Sequence, residues 1–386
     1  KGKGFYQLVF DQTPFYPEGG GQIGDSGWIQ NKDDKITIFD TKRENNLIVH
    51  FTSEIPANLK TTLKASVDTD KRDNTARNHS ATHLLHHVLR SVLGEHVEQK
   101  GSLVNSKNLR FDFSHFSKVS DEEIQEIERL VISNIEDNLK LNEKRNIPIE
   151  EAKEMGAMAL FGEKYGERVR VIQFGESVEL CGGIHVKSTT DIGLFKITSE
   201  SAVASGIRRI EAISGDSAQQ YFRDRTMELE AISSLLKKPK NIEKTVHELI
   251  DKNLDLTKQI EALNKEKATL IKKELKNKIV EINGIHFLGE KVKLNTASIK
   301  DILFQLKGEQ KNFIGVLANA EQNKCGLSVI LSDNLVEEKN LNAVTIIKQV
   351  SHHIRGGGGG QPFFATAGGK DQTGIDSAIA EVKAMI

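Results

Sequence analysis

Apolar and polar residues alternate at the start of the chain, and the period then changes. Phe5-Tyr6-Gln7-Leu8-Val9-Phe10 alternates, and Pro14, Pro17 and the run Glu18-Gly19-Gly20-Gly21 break the pattern. Short apolar runs resume at Trp28-Ile29, Lys35–Phe39 and Leu47–Phe51, with turn residues between them. Short strands at that spacing predict a small β-barrel over residues 1–70. From Asp70 the period lengthens: Leu84, Val88 and Val92 fall at helical spacing, and Gly94 is placed to end the helix. Ser120-Asp121-Glu122-Glu123 is a capping-box pattern that opens a second amphipathic helix over 121–141. Strand patterns return at Arg168–Ile172 and Gly193–Ile197, so 71–214 reads as one α+β domain.

Between 215 and 282 the pattern is long, polar and helical. Ile242, Leu249, Leu256, Leu263 and Leu270 recur every seven residues, the seam of a coiled coil or helical hairpin. The intervening Val246, Asn253, Ile260 and Lys267 are only half apolar, so the seam is imperfect. Pro239 marks the turn between two helices. The seam raises the expectation of a homodimer, although it could also close within one chain. Residues 283–386 read as a compact α/β unit, with strands at 313–319 and 326–332 and helices near 297–307, 340–353 and 373–386. The glycine run 356–360 is expected as a flexible loop between strand and helix. The chain is thus expected to be an α+β multidomain protein of four parts.

Composition narrows the class. At roughly 150 residues per domain, 386 residues predict more than one domain. A mean hydropathy of -0.39 and the absence of any apolar run of about 18 residues argue against a membrane span. No basic-then-apolar leader opens the chain, and Cys181 and Cys325 are too few and too far apart for a disulfide framework, so a cytoplasmic setting is expected. The net charge of -1 argues against a cationic coat for unspecific nucleic-acid binding. It hides a local excess: residues 237–278 hold 12 Lys against 7 acidic residues.

The chemistry concentrates in two histidine-bearing pairs. His79 and His83 are four apart on a predicted helix, which puts both imidazoles on one face, one turn apart. A hundred residues later comes Cys181-Gly182-Gly183-Ile184-His185. Either pair alone is ordinary, since surface histidines and small buried cysteines are common. Together, in one predicted domain, three imidazoles and one thiolate make a tetrahedral set suited to one Zn2+ per chain. His86 and His87 are rivals by composition only and are expected to pack or face solvent. In the tail, Arg355-Gly356-Gly357-Gly358-Gly359-Gly360 lacks the Gly-Lys-Ser/Thr of a Walker loop, but its backbone N–H groups suit phosphate or ribose oxygens. Phe363 and Phe364 beside it suit stacking or core packing, and His352, His353 and Arg355 suit phosphate contacts.

Several long segments resemble the C-terminal half of alanyl-tRNA synthetase, its editing domain followed by its C-terminal domain. They are DQTPFYPEGGGQIGDSG at 11–27, RNHSATHLLHHVLRSVLGEHVEQKGSLV at 77–104, RFDFSH at 110–115, CGGIHV at 181–186 and SGIRRIEAISG at 205–215. The resemblance implies hydrolytic editing of tRNA(Ala) mischarged with serine or glycine, with His79, His83, Cys181 and His185 as the zinc ligands. It also implies that Thr82 and Gln99 line the editing pocket and that Arg208 is an editing-related arginine. Without the resemblance, Thr82 reads as a helix-interior back-bond, Gln99 as an exposed polar residue and Arg208 as an ion-pair partner. Gly20 and Gly21 read as a tight hairpin and, by resemblance, as part of a loop near the substrate. Arg355, Gly357, Gly358 and Gly359 are implied contacts to the outer corner, or elbow, of the tRNA. Nothing in the chain resembles the family's aminoacylation core and the chain opens at Lys1, so the expectation is a piece of a longer synthetase that edits without charging. The rival expectations are a free-standing trans-editing protein and a tRNA-binding module with structural zinc only.

Overall fold

Six short strands occupy the first 67 residues: β1 (Tyr6–Leu8), β2 (Gly27–Gln30), β3 (Lys35–Ile38), β4 (Asp40–Glu44), β5 (Leu47–Thr52) and β6 (Lys64–Val67). The computed structural model describes residues 4–386 apart from 33, 59–60, 160–165 and 322–323. Where the alternation predicts a barrel, the strands pair as two three-stranded antiparallel sheets, β1-β5-β4 and β3-β2-β6. Leu8 of one sheet and Ile29, Ile36 and Ile38 of the other are buried in one core with Phe15.

Helix α1 (Thr69–Leu93) follows. The Asp68 carboxylate accepts from the Lys71 N–H to cap its start, and Gly94, at φ +116°, donates its N–H to Arg90 O at the end. Gly94 is thus where the sequence places the helix stop. Between the caps, Leu84, Leu85, Val88 and Leu89 are buried in one core with Phe111 and Phe113. Those phenylalanines belong to β8 (Leu109–Ser114), which pairs with β7 (Gln99–Val104). α2 (Asp121–Glu136) begins with the expected capping box, in which Ser120 Oγ accepts from Glu123 N–H and Glu123 Oε2 accepts from Ser120 N–H. It stops before residue 141, because the chain turns into β9 (Asn142–Pro148) and the short α3 (Ile149–Glu154). β10 (Arg168–Phe174) and β11 (Ser177–Leu180) join β9 in a sheet of order β11-β10-β9. β12 (Phe195–Ala204) and β13 (Ile207–Ser214) extend the other sheet to β12-β13-β8-β7. Helix α4 (Gly215–Leu235) closes this first compact unit, Lys1–Leu235.

The second unit, Leu236–Ile386, opens with one 35-residue helix, α5 (Ile242–Lys276), capped by the Asn241 side chain. Pro239 lies between α4 and α5, as its ring demands. The heptad leucines of α5 are not covered: Leu249, Leu256, Leu263 and Leu270 are all about half exposed or more. Only the last turn is buried, where Leu275 joins a core with Leu303 and Leu306. β14 (Val280–Ile282) and β15 (Ile285–Lys291) precede α6 (Thr296–Glu309), the crossover that lets β16 (Phe313–Glu321) lie parallel to β15. β17 (Lys324–Leu331), α7 (Asp333–Glu337) and α8 (Ala343–Val350) follow, then β18 (Gly357–Gln361), β19 (Phe364–Gly369) and α9 (Ile375–Ala384). The sheet order is β14-β15-β16-β17-β19-β18.

The glycine run corrects the sequence reading. It is an edge strand lying between a helix and a strand, and β19 supplies its ladder partner. Glycine disfavours strands through entropy, but here the pairing demands it. A Cβ on Gly356 or Gly358 would lie 2.0 Å from the carbonyl oxygens of Gly368 and Thr366. Gly357 and Gly359 face open space, so the outer edge is bare backbone.

A candidate metal centre in the first unit

α1 carries His79 and His83 on its buried side, with ring centroids 5.3 Å apart. The segment after β11 brings Cys181 and His185 to the same place. Cys181 Sγ lies 3.4 Å from His79 Nε2 and 3.3 Å from His185 Nε2. One ligand atom from each of the four residues lies within 4.8 Å of the others. The glycines between Cys181 and His185 are not equivalent: Gly182 is open, whereas a Cβ on Gly183 would stand 2.1 Å from the His79 ring.

Each imidazole is held from behind. His79 Nδ1–H donates to Gln22 Oε1 at 2.8 Å, and the same oxygen accepts from Ile184 N–H at 2.9 Å. Ser80 Oγ pairs with His185 Nδ1 at 3.0 Å and accepts from Val186 N–H at 3.1 Å. Glu179 Oε2 lies 3.3 Å from His83 Nε2, and its Oε1 lies 2.9 Å from His86 Nδ1. These contacts fix ring orientation and tautomer, as the outer partners of metal ligands do. Sequence reasoning missed Gln22, Ser80 and Glu179. Gln22 sits beside the noted glycines, but no spacing links it to His79.

Burial drives the His79 and His185 imidazoles well below their ordinary pKa, with His83 and Arg170 adding repulsion, as does His79 for His185. Burial also lowers His83, against the opposing pull of Glu179. Burial pushes the Glu179 carboxyl up, but His83 and His86 outweigh it and leave it below the usual range. Neutral imidazoles present the lone pairs a metal needs. His83 Nδ1 is buried with no hydrogen-bond partner, an orphan in a protein interior that a cation would satisfy. Three imidazoles and a thiol converging at this spacing fit Zn2+. His86 packs its ring on Phe111, and His87 faces Glu176 at 3.7 Å; neither is in the cluster.

The other candidates are placed as follows. Thr82 is buried, and its hydroxyl donates to Asn78 O at 2.8 Å, the back-bond of a helix interior. Gln99 and Arg208 pair with Phe113 from opposite sides in one cross-strand row. Arg208 grips Glu200 through two hydrogen bonds of 2.5 and 2.6 Å. Gly20 and Gly21, at φ +59° and +78°, form the two-residue turn of a tight hairpin closed by Gly19 and Gln22. Gly21 O accepts from Val104 N–H at 2.7 Å, which seats the turn on β7 and aims Gln22 inward. A cleft of about 350 Å³ opens beside the cluster, lined by Arg72, Arg77, Ile184, His185 and Lys187. Arg355 lies in the second unit, mostly exposed, 3.4 Å from Asp371. No helix among the described residues is long and apolar enough to cross a membrane.

A mixed α/β chain of several small sheets, with a His3Cys cluster in its interior, defines a candidate metalloprotein. The profile described as "Threonyl and Alanyl tRNA synthetase second additional domain" matches residues 169–211. "tRNA synthetases class II (A)" matches 3–72, and the "DHHA1 domain" matches 284–386. The chain is 53% identical over 383 residues to the alanine–tRNA ligase of Christiangramia forsetii, covering 99% of this chain and 44% of that protein. It is 52% identical to the alanine–tRNA ligase of Flavobacterium psychrophilum, covering 97% of this chain and 43% of that one. The C-Ala domain from Aquifex aeolicus alanyl-tRNA synthetase aligns at TM-score 0.27 and 19% identity, over 28% of this chain and 96% of that domain. The chain belongs to the alanyl-tRNA synthetase family. It spans less than half the length of these curated relatives.

Proposed function

We propose that this chain edits tRNA(Ala): it hydrolyses the ester that joins a wrongly attached serine or glycine to the 3′-terminal adenosine. The observation that carries this reading is the convergence of His79, His83, Cys181 and His185, each imidazole with its own rear partner, in a chain of this family. Zn2+ held by these four would supply Lewis acidity for a water or for the ester carbonyl. The chain's residues do the recognition. The Thr82 hydroxyl spends its proton on Asn78 O, so it keeps lone pairs to accept from a seryl hydroxyl. An alanyl methyl offers no such donor, so this contact selects serine over alanine more strongly than a size filter would; glycine, which has no side-chain hydroxyl, draws nothing from it. Gln99 supplies an amide that can bind the same hydroxyl. Arg208, already paired with Glu200, acts by shaping the sheet end next to Gln99. The cleft beside His185 mixes charges, with Arg72, Arg77 and Lys187 beside Asp73 and Asp191; Lys187 is the cation proposed there for a phosphate of the tRNA acceptor end, since Arg72 and Arg77 pair with Asp25 and Asp216.

In the second unit, the bare outer edge of β18, with Arg355 at its start, is the proposed contact for the tRNA elbow. Residues 3–72 match the class II tRNA synthetase model, which corrects the expectation that nothing in the chain resembles that part of the family; the rest of the aminoacylation core is proposed to lie in the part of the relatives that this chain does not span, and the setting is proposed to be cytoplasmic. A second reading, a tRNA-binding module with structural metal, is favoured by one observation: four protein ligands close a tetrahedral site. Zinc analysis paired with deacylation of Ser-tRNA(Ala) separates the two. Bound zinc with turnover upholds editing; bound zinc without turnover leaves the binding module.

A further inference from the structure

A second set of ligand side chains converges in the other compact unit. His352 and His353 lie in the turn that follows α8, and Glu381 projects from α9. One ligand atom from each lies within 4.8 Å of the other two. The two rings face each other with centroids 4.0 Å apart and planes at 35°. His353 Nε2 lies 2.6 Å from Glu381 Oε2. His352 Nδ1–H donates to Gln349 O at 2.7 Å, which fixes the tautomer and leaves Nε2 with its lone pair. The Gln349 amide also donates to Glu381 Oε1 at 3.3 Å, so one α8 residue steadies both a histidine and the carboxylate.

The backbone that carries the histidines is held in place. Gly356 N–H donates to Ser351 O at 3.0 Å, and Lys370 and Asp371 N–H groups donate to Ile354 O at 2.9 and 3.0 Å. A Cβ on Gly374 would stand 1.9 Å from His353 O, so the segment leading into α9 closes directly on the turn. Little ordering is left for a ligand to cause, which is the condition for useful affinity from few contacts.

We propose that His352, His353 and Glu381 form a second metal site, for a borderline divalent transition cation of the Zn2+ class. Two imidazole nitrogens and one carboxylate oxygen match that class, whereas Mg2+ and Ca2+ take oxygen ligands. Water would complete the coordination, because the three side chains are only partly buried or exposed. The cation would tie α9 to the turn that launches the glycine strand. The site binds more weakly than the buried cluster, having three ligands and solvent access in place of four ligands and burial.

The test is metal stoichiometry on the full chain, stripped of metal and titrated with Zn2+ and, separately, Co2+. The unsubstituted chain takes two equivalents, the second more weakly. Glu381→Gln and His352→Ala each take one. The first Co2+ equivalent brings thiolate charge-transfer absorption from Cys181, and the second adds d–d absorption without it. A chain that takes a single equivalent overturns the proposal, as does a second equivalent that survives both substitutions. His352 is exposed, so His352→Ala keeps the fold, and an unchanged circular dichroism spectrum verifies this. Because the readout is counted metal, failure here leaves the editing reading untouched.

Discussion

The two histidine clusters share chemistry and differ in setting. The first lies inside the protein, draws its ligands from α1 and from a loop a hundred residues later, and has a rear partner for each imidazole. The second sits at the surface, takes two ligands from consecutive residues, and leans on Gln349 alone. Burial is what separates them. It lowers the pKa values of His79, His83 and His185 and leaves His83 Nδ1 without a partner, so the interior cluster is arranged to accept a cation. Solvent reaches the surface cluster, so burial does not force its groups onto a cation.

The largest expected effect breaks the interior cluster. Cys181→Ala takes deacylation of Ser-tRNA(Ala) down to the uncatalysed background and removes tight zinc, measured by deacylation assay and metal analysis. Full activity in that variant would remove the thiol from the mechanism.

Acid comes next. The three buried imidazoles have folded pKa values below the ordinary value of about 6.5, so below that pH the unfolded chain binds more protons than the folded one. The metal-free first unit is therefore expected to lose stability as pH falls from about 6.5 toward the depressed values. A thermal midpoint that holds flat from neutral pH to about pH 5 would contradict the burial argument.

Smaller losses follow from the rear partners. Glu179→Gln and Gln22→Ala should each weaken zinc about 10- to 100-fold while the four ligands remain, read by chelator competition. Equal affinity in both variants would mean that the rings orient themselves.

The smallest effect sharpens the other side of the comparison. Gly358→Ala should destabilise the second unit by about 1–3 kcal/mol, since the new methyl meets the Thr366 carbonyl, while zinc in the first unit stays unchanged. Gly359→Ala, which meets open space, serves as the control in the same denaturant titration.

Much of this was legible in the chain itself. The four residues of the interior cluster announce themselves because two lie four apart on a helix and two flank glycines in a short loop. Caps are local, and so Gly94 and Ser120 act where the sequence places them. The rear partners were not legible. Gln22 meets His79 from 57 residues away, and Ser80 meets His185 across 105; only tertiary folding makes those pairs. The glycine strand failed for the same reason. Its conformation is dictated by the closeness of β19, and a run of glycines carries no periodicity from which to read it.

Gln22 has one more consequence, for where the protein can be cut. A break at residue 68 looks safe, since it falls between β6 and α1. It would leave His79 Nδ1 and the Ile184 N–H without their shared acceptor, and would sever the Asp25 carboxylate from Arg72 and Gly21 from Val104. The loop between β1 and β2 therefore supports the cluster and α1 from outside, and a segment trimmed to begin at α1 would lose that support. Any attempt to graft this chemistry elsewhere has to carry the Gly20-Gly21 turn along with the ligands.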